Sequence, residues 1–370
     1  MNGSPSSRRV WLFAGLAFAA SGGCGGQTTE PVADGPRDLW ILNSTGQTLT
    51  AFSVGQSLSV AGAPLDLGAG FDGDALDVAA GLAVTTVSSF GGSRVVFVDL
   101  EARAVSSSPF PAPEGDLANP SAASFDDLGN AWVGGRGSDA VYRVRPGDSS
   151  AELMASDVGT FIEAIVPVGD RLYAVDANID DEGGSYLPRG PGRVVVLSRS
   201  GLAESVIDLP AGAFNPTDAV EVKGTLIVLA AGSFDPVTFL PANDGALVLV
   251  DLPAGATHSP LALEANGISL EEGDDGWIYV TTTSDFETTS LLRFDPGEGN
   301  FDRGPSDPII VRGKDGAPVD CWSATAAIDG RIVCATFSFA EAGRLVLAEP
   351  DGTFIHEVPS GFGTTDVAWQ

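Results

Sequence analysis

Lysine is almost absent from this 370-residue chain. Only Lys223 and Lys314 occur, and the basic side chains total 19 against 49 acidic ones, a formal charge of −30. A surface of that sign repels phosphate backbones, so nucleic acid is an unsuitable partner. Histidine is as scarce: His258 and His356 fall in segments that read as outer strands, which argues against histidine acid–base or zinc chemistry at any central site. The chain holds no G-x-S-x-G elbow, no H-E-x-x-H and no P-loop. Beyond the N-terminal segment there is no long helical periodicity, which argues against a helical fold. What the chain has in quantity is 47 Gly, 24 Pro and 44% apolar residues, the composition of many short strands joined by tight turns.

One short phrase recurs six times after residue 90: Val95-Val-Phe-Val-Asp99, Val141-Tyr-Arg-Val-Arg145, Val194-Val-Val-Leu-Ser198, Leu247-Val-Leu-Val-Asp251, Leu291-Leu-Arg-Phe-Asp295 and Leu345-Val-Leu-Ala-Glu349. Its spacing, roughly 40 to 55 residues, is that of a four-stranded propeller blade. A unit so small cannot bury its own apolar face, so the copies must pack radially and share a core. With strands named a to d from the centre outward, the phrase is strand c. Strand a is predicted to begin near Leu76, Pro120, Phe161, Pro216, Gly267, Cys321 and Thr365.

Six blades are complete within residues 74 to 362, and the chain ends supply a seventh. Asp38-Leu-Trp-Ile-Leu-Asn43 reads as a strand b and Thr48-Leu-Thr-Ala-Phe52 as a strand c, without a strand a before them. Thr364-Thr-Asp-Val-Ala-Trp369 reads as the missing strand a. The fold class is therefore all-β, a seven-bladed propeller of four-stranded blades over residues 37–370, closed by N-terminal strands b to d and a C-terminal strand a. Asn119-Pro120 through Asp126-Asp-Leu-Gly-Asn-Ala-Trp-Val133 to Val141-Tyr-Arg-Val144 resembles the YVTN and NHL type of repeat, a superfamily of binding modules and scaffolds with a minority of hydrolases and lyases.

Residues 1–23 are similar to a bacterial lipoprotein signal peptide. Arg8 and Arg9 form the charged region, Val10 to Ala20 the apolar stretch, and Ser21-Gly22-Gly23 precede Cys24, the implied lipidation site. The apolar stretch is too short to span a bilayer as a permanent helix. Ser7-Arg8-Arg9-Val10-Trp11-Leu12 also resembles a twin-arginine export signal. Residues 24–36 read as a tether. These features imply a location in the cell envelope, on the periplasmic side or the cell surface, with the membrane reached through the anchor alone.

Cys321 and Cys334 are expected to be two buried thiols. If Asp329-Gly330 is a two-residue hairpin turn, Thr325 faces Cys334 and Cys321 lies about 13 Å further along, beyond disulfide reach.

Aligning the inner strands places Asp77, Ala122, Glu163, Asp218, Gly267, Ser323 and Asp366 in one column at the central channel. Asp77, Glu163, Asp218 and Asp366 can accept main-chain hydrogen bonds between blades, or hold a cation such as Ca²⁺; no cofactor is required by either reading. Asp74, Asn119, Asn215, Asn266 and Asp320 stand at the strand-a entrances. Lactonases of the gluconolactonase type set a Glu, an Asn pair and an Asp around one divalent ion, and Glu163, Asn215, Asn266 and Asp320 could mimic that catalytic set; as ordinary turn residues they would do no chemistry. Asn178-x-Asp180-x-Glu182-Gly183 matches half of a calcium-binding loop, with Arg189 where its bidentate Glu belongs.

The b–c connections of blades 4, 5 and 6 are long, residues 178–192, 233–245 and 283–290, and long loops on a compact repeat are where binding usually resides. They combine Asp180, Asp181, Asp244 and other acids with Tyr186, Phe234, Phe239 and Phe286, which suits a protein or peptide partner, with a small ligand also open. The chain thus reads as a monomeric, envelope-anchored, non-enzymatic binding or scaffold module, with a metal-dependent lactonase-like hydrolase as the alternative.

Overall fold

The structure, a computed structural model, describes residues 37–69, 75–88, 92–111, 119–180, 187–338 and 341–370. Cys24, the leader, the tether, Asp74, Asp181, Glu182 and Tyr186 lie outside these residues. Seven antiparallel sheets form a ring of blades, and the described residues contain no helix. Strand a is Leu76–Ala79 in blade 2, Asn119–Phe125 in blade 3, Ile162–Val168 in blade 4, Pro216–Val222 in blade 5, Asn266–Glu272 in blade 6 and Ser323–Ala326 in blade 7. Each leads outward through b, c and d by hairpin pairing.

Blade 1 is built from both ends of the chain. Arg37–Asn43 pairs outward with Thr48–Val54 and inward with Thr364–Trp369, with Trp40 opposite Ala368 and Leu39 opposite Trp369. The ring therefore closes through a non-covalent seam between the first and last described strands of the chain.

Packing explains why the middle strands carry near-continuous apolar runs instead of a polar–apolar alternation. Both faces of every blade are covered by a neighbour, as in any sheet buried on two sides. In blade 5, Leu226, Val228 and Ala230 pack toward blade 4, while Ile227 and Leu229 pack toward blade 6. Seven apolar clusters result, one in each gap between adjacent blades. The two that flank blade 1 contain Trp40, Leu42 and Ala368 on one side and Ile41, Val367 and Trp369 on the other.

Cys321 and Cys334 are not the buried free thiols expected from the sequence. They form a disulfide, with Cα atoms 5.3 Å apart. The hairpin has a five-residue connection, Ala327 to Arg331, in which the Ala327 N–H donates to the Arg331 carbonyl and Gly330 takes φ +80°. Cys334 consequently faces Ala324, not Thr325. Cys321 lies before the strand begins, where the Trp322 N–H donates to the Ala335 carbonyl and the chain bends back over Cys334.

Candidate functional site

The strand-a entrances and the b–c loops share one face of the ring, here the upper face, and the central channel opens among them. The channel encloses about 300 Å³, and its walls include Arg136, Glu163, Asp218, Ser269, Trp322 and Asp366.

Each carboxylate of the predicted channel column has an assigned hydrogen-bonding partner. Asp366 accepts the Leu76 N–H of blade 2 (2.8 Å), Asp77 accepts the Phe125 N–H (2.7 Å) and Ser124 hydroxyl (3.0 Å) of blade 3, and Asp218 accepts the Leu270 N–H of blade 6 (3.3 Å). An inner strand contributes one such side chain to its neighbour's main chain, so these three acids tie blade to blade near the axis. Glu163 is different. Arg136, the last residue of strand b in blade 3, grips it in a two-point ion pair, Nε to Oε1 at 2.8 Å and Nη2 to Oε2 at 2.9 Å. Among the described residues, no three His, Cys, Asp or Glu side chains converge as a metal-binding group.

Arg136 and Trp322 were not anticipated from the sequence. Arg136 reaches the channel because Gly134 and Gly135 precede it. A Cβ on Gly134 would lie 2.5 Å from Ile162 of the next blade, and one on Gly135 would lie 2.5 Å from the Asn119 carbonyl. A paired glycine at the end of a strand b, followed by arginine, was the available signal. Trp322, at the channel wall, stacks on Phe337 with ring centroids 4.9 Å apart.

The entrance residues fasten the loops. Buried Asn266 accepts the Asn243 N–H (2.9 Å) and donates to the Ser233 carbonyl (2.9 Å), holding the blade 5 loop at both ends. Asp320 accepts the Thr289 N–H at the end of the blade 6 loop (3.3 Å). Asn215 has φ +50°, and its carbonyl accepts the Ala231 N–H. Asn119 accepts a hydrogen bond from the Ser88 hydroxyl of blade 2. Glu163, Asn215, Asn266 and Asp320 all lie at the upper end of blades 4 to 7, but Glu163, Asn266 and Asp320 each bond a different set of groups. Asn178 closes the base of the blade 4 loop, its side chain donating to the Pro191 carbonyl (3.0 Å) and its own carbonyl accepting the Arg189 N–H (2.9 Å). Within that loop Ile179–Asp180 pairs with Leu187–Pro188.

The blade 5 and blade 6 loops form one surface. Phe234 and Phe286 stack with centroids 5.8 Å apart and planes 13° from parallel. Asp244 clamps the blade 5 loop by accepting the Ser233 N–H (2.7 Å) and hydroxyl (2.6 Å). Asp235 accepts the N–H groups of Thr238 and Val237, and Asp285 those of Thr288 and Glu287; these bonds hold both carboxyls below the usual carboxylate range, so both are charged at neutral pH. Above this frame Val237, Phe239, Leu240 and Phe286 are 83%, 67%, 51% and 48% exposed.

No protein family profile and no curated protein sequence matches the chain. Solved structures do match its shape. A candidate 6-phosphogluconolactonase from Bacteroides fragilis superposes with a TM-score of 0.60 at 8% identity, over 92% of this chain and 99% of the other. A candidate 6-phosphogluconolactonase from Bacteroides uniformis gives 0.60 at 10% identity, over 91% and 100%. Streptogramin B lyase gives 0.55 at 12% identity, over 82% and 92%. At such identities the likeness establishes the propeller fold and no activity.

Proposed function

We propose that the chain is exported, lipid-anchored through Cys24 on the 24–36 tether, and acts in the cell envelope as a monomeric, non-enzymatic propeller that binds a partner on its upper face. The observation that carries this reading is the joined pair of loops. The Phe234–Phe286 stack unites blades 5 and 6, and Val237, Phe239 and Leu240 stand in solvent beside it, next to the exposed part of Phe286. Apolar groups clustered on an otherwise polar loop face commonly mark an interaction site.

The hydrolase alternative would need Glu163 to share its ion pair with Arg136, and Asn266 to leave Asn243 and Ser233. In the predicted-metal form, a divalent ion would sit with Glu163, Asn215, Asn266 and Asp320, or with Asp77, Glu163, Asp218 and Asp366. Metal analysis after calcium-replete purification separates the readings. A stoichiometric ion lost on Glu163→Gln would favour the hydrolase.

The binding reading is tested by placing a photo-crosslinking amino acid at Phe239 and at Leu128 on the lower face, in the native envelope. One discrete adduct from Phe239 and none from Leu128 is expected. Equal labelling from both faces would contradict it, and a Cys24→Ser chain that stays membrane-bound would contradict the anchor.

A further inference from the structure

The paired loops are more than exposed, because their apolar tips are held in place against backbone preference. Phe239 has φ +58° and Phe286 has φ +63°, the left-handed region that bulky side chains avoid. The frame that enforces this is local. The Phe239 N–H donates to the Asp235 carbonyl, the Asp235 N–H to that of Leu240, and Phe234 bridges to Pro241. A tip fixed before binding loses little entropy on association. Its surroundings carry one sign of charge. Residues 233–245 and 283–290 contain Asp235, Asp244, Asp285 and Glu287 and no Lys, Arg or His, and exposed Glu264 and Asp320 stand at the neighbouring entrances.

Resting on the binding reading above, we infer that the occupant of the blade 5–6 face is a peptide segment bearing aromatic or branched aliphatic side chains flanked by Lys or Arg. The apolar side chains of such a segment cover Val237, Phe239, Leu240 and Phe286, and its cations meet the acidic rim. A second copy of this chain brings the same charge to the contact, with −30 on each molecule, and is disfavoured. An anionic membrane is disfavoured on the same ground, since the acids sit beside the tips that would insert.

The test pans random dodecapeptides on phage against the intact protein and measures the enriched peptides by fluorescence anisotropy. The expected peptides combine basic with large apolar residues. Their affinity falls about tenfold for Phe239→Ser, and about tenfold for Asp235→Asn/Asp285→Asn/Glu287→Gln, in which the amides keep the acceptor oxygens. It also falls as salt is raised. Leu128→Ser, on the opposite face, leaves it unchanged, and unchanged melting temperatures show that the variants are folded. Acidic or uncharged peptides, or binding indifferent to both loop variants, overturn the inference. So does Phe239-dependent binding to phosphatidylglycerol vesicles in place of peptides. Peptides that bind but are displaced only by changes at residues 187–192 overturn this assignment and leave the wider binding reading standing; no enrichment together with no crosslink from Phe239 removes both.

Discussion

Asp126 shows how much one side chain can organise in a blade. It sits at the a–b turn of blade 3 and accepts four hydrogen bonds: from the Leu128 N–H (2.9 Å), the Asn130 N–H (2.9 Å), the Asn130 amide (2.7 Å) and the Trp132 indole (2.9 Å). Burial pushes this carboxyl up, but the side-chain bonds from Asn130 and Trp132 and the main-chain bonds outweigh it and hold the group below its usual value. A depressed carboxylate stabilises the fold fully above its unfolded pKa, about 3.9, and that contribution disappears as pH falls through the lower folded value. Asp126→Asn keeps one acceptor oxygen for four donors. We expect it to lose about 3 kcal/mol in urea unfolding at neutral pH, and a smaller difference from the native chain near pH 3. Glu221 carries the opposite sign. Burial raises its pKa against the bond from the Gly224 N–H, so the folded state holds a proton that the unfolded state has released, and stability falls as pH rises from about 4.3 through the folded value. Glu221→Gln keeps the acceptor and removes the buried charge; its melting temperature is expected to exceed that of the native chain by a few degrees at neutral pH, with no gain in acid. A lower melting temperature at neutral pH would contradict this. At this scale the sequence offered main-chain acceptance as one role for the inner-strand acids; Glu163, Asp218 and Asp366 of the expected column line the channel, whereas Asp77 and Ser323 are buried away from its wall. The sequence did not reveal Arg136, whose access depends on how closely two blades approach.

Single elements were legible to within about two residues, because Pro, Asn and Asp-Gly mark their ends and alternating aliphatics mark their middles. Strand a was expected near Leu76, Pro120, Pro216 and Thr365 and is observed to start at Leu76, Asn119, Pro216 and Thr364. The disulfide was misread because register is unforgiving. Counting a two-residue turn where five residues connect the strands moved Cys334 one position along, and a bend before a strand has no periodic signature. The link closes a separation of 13 residues, worth about 3 kcal/mol in loop-closure entropy. Cys321→Ala/Cys334→Ala is expected to lose about that amount, and a non-reducing peptide map should join the two segments. Two thiols that titrate in denaturant without reductant would contradict the link. The loops of blades 5 and 6 were visible as long, acidic and aromatic insertions. Their joining through Phe234 and Phe286 was not, since that contact depends on how adjacent blades are rotated.

The whole molecule is held by repetition and by its seam. Every gap between blades has its own apolar cluster, so opening one gap exposes two faces that evolved to be covered. At the seam the Trp369 indole donates to Thr325 (3.0 Å) in blade 7, the Trp40 indole donates to the Gln370 side chain (2.9 Å), and Arg37 pairs with buried Asp274 of blade 6 and donates to the Gln370 carbonyl (3.0 Å). The ring was readable from the sequence because the incomplete first blade and the last strand are complementary in kind. The bonds that lock it were not, as they join residues with no local relation. Removing residues 364–370 takes Val367, Ala368 and Trp369 from two clusters, a loss of about 5 kcal/mol or more. The most direct measurement is hydrogen exchange of the Arg37–Asn43 strand in the intact chain and in a chain ending at Gly363. Strong protection in the intact chain that collapses on truncation, with a sharply lower melting temperature, is the predicted result. Equal protection in both would mean that the strand ending at Trp369 does not close the ring.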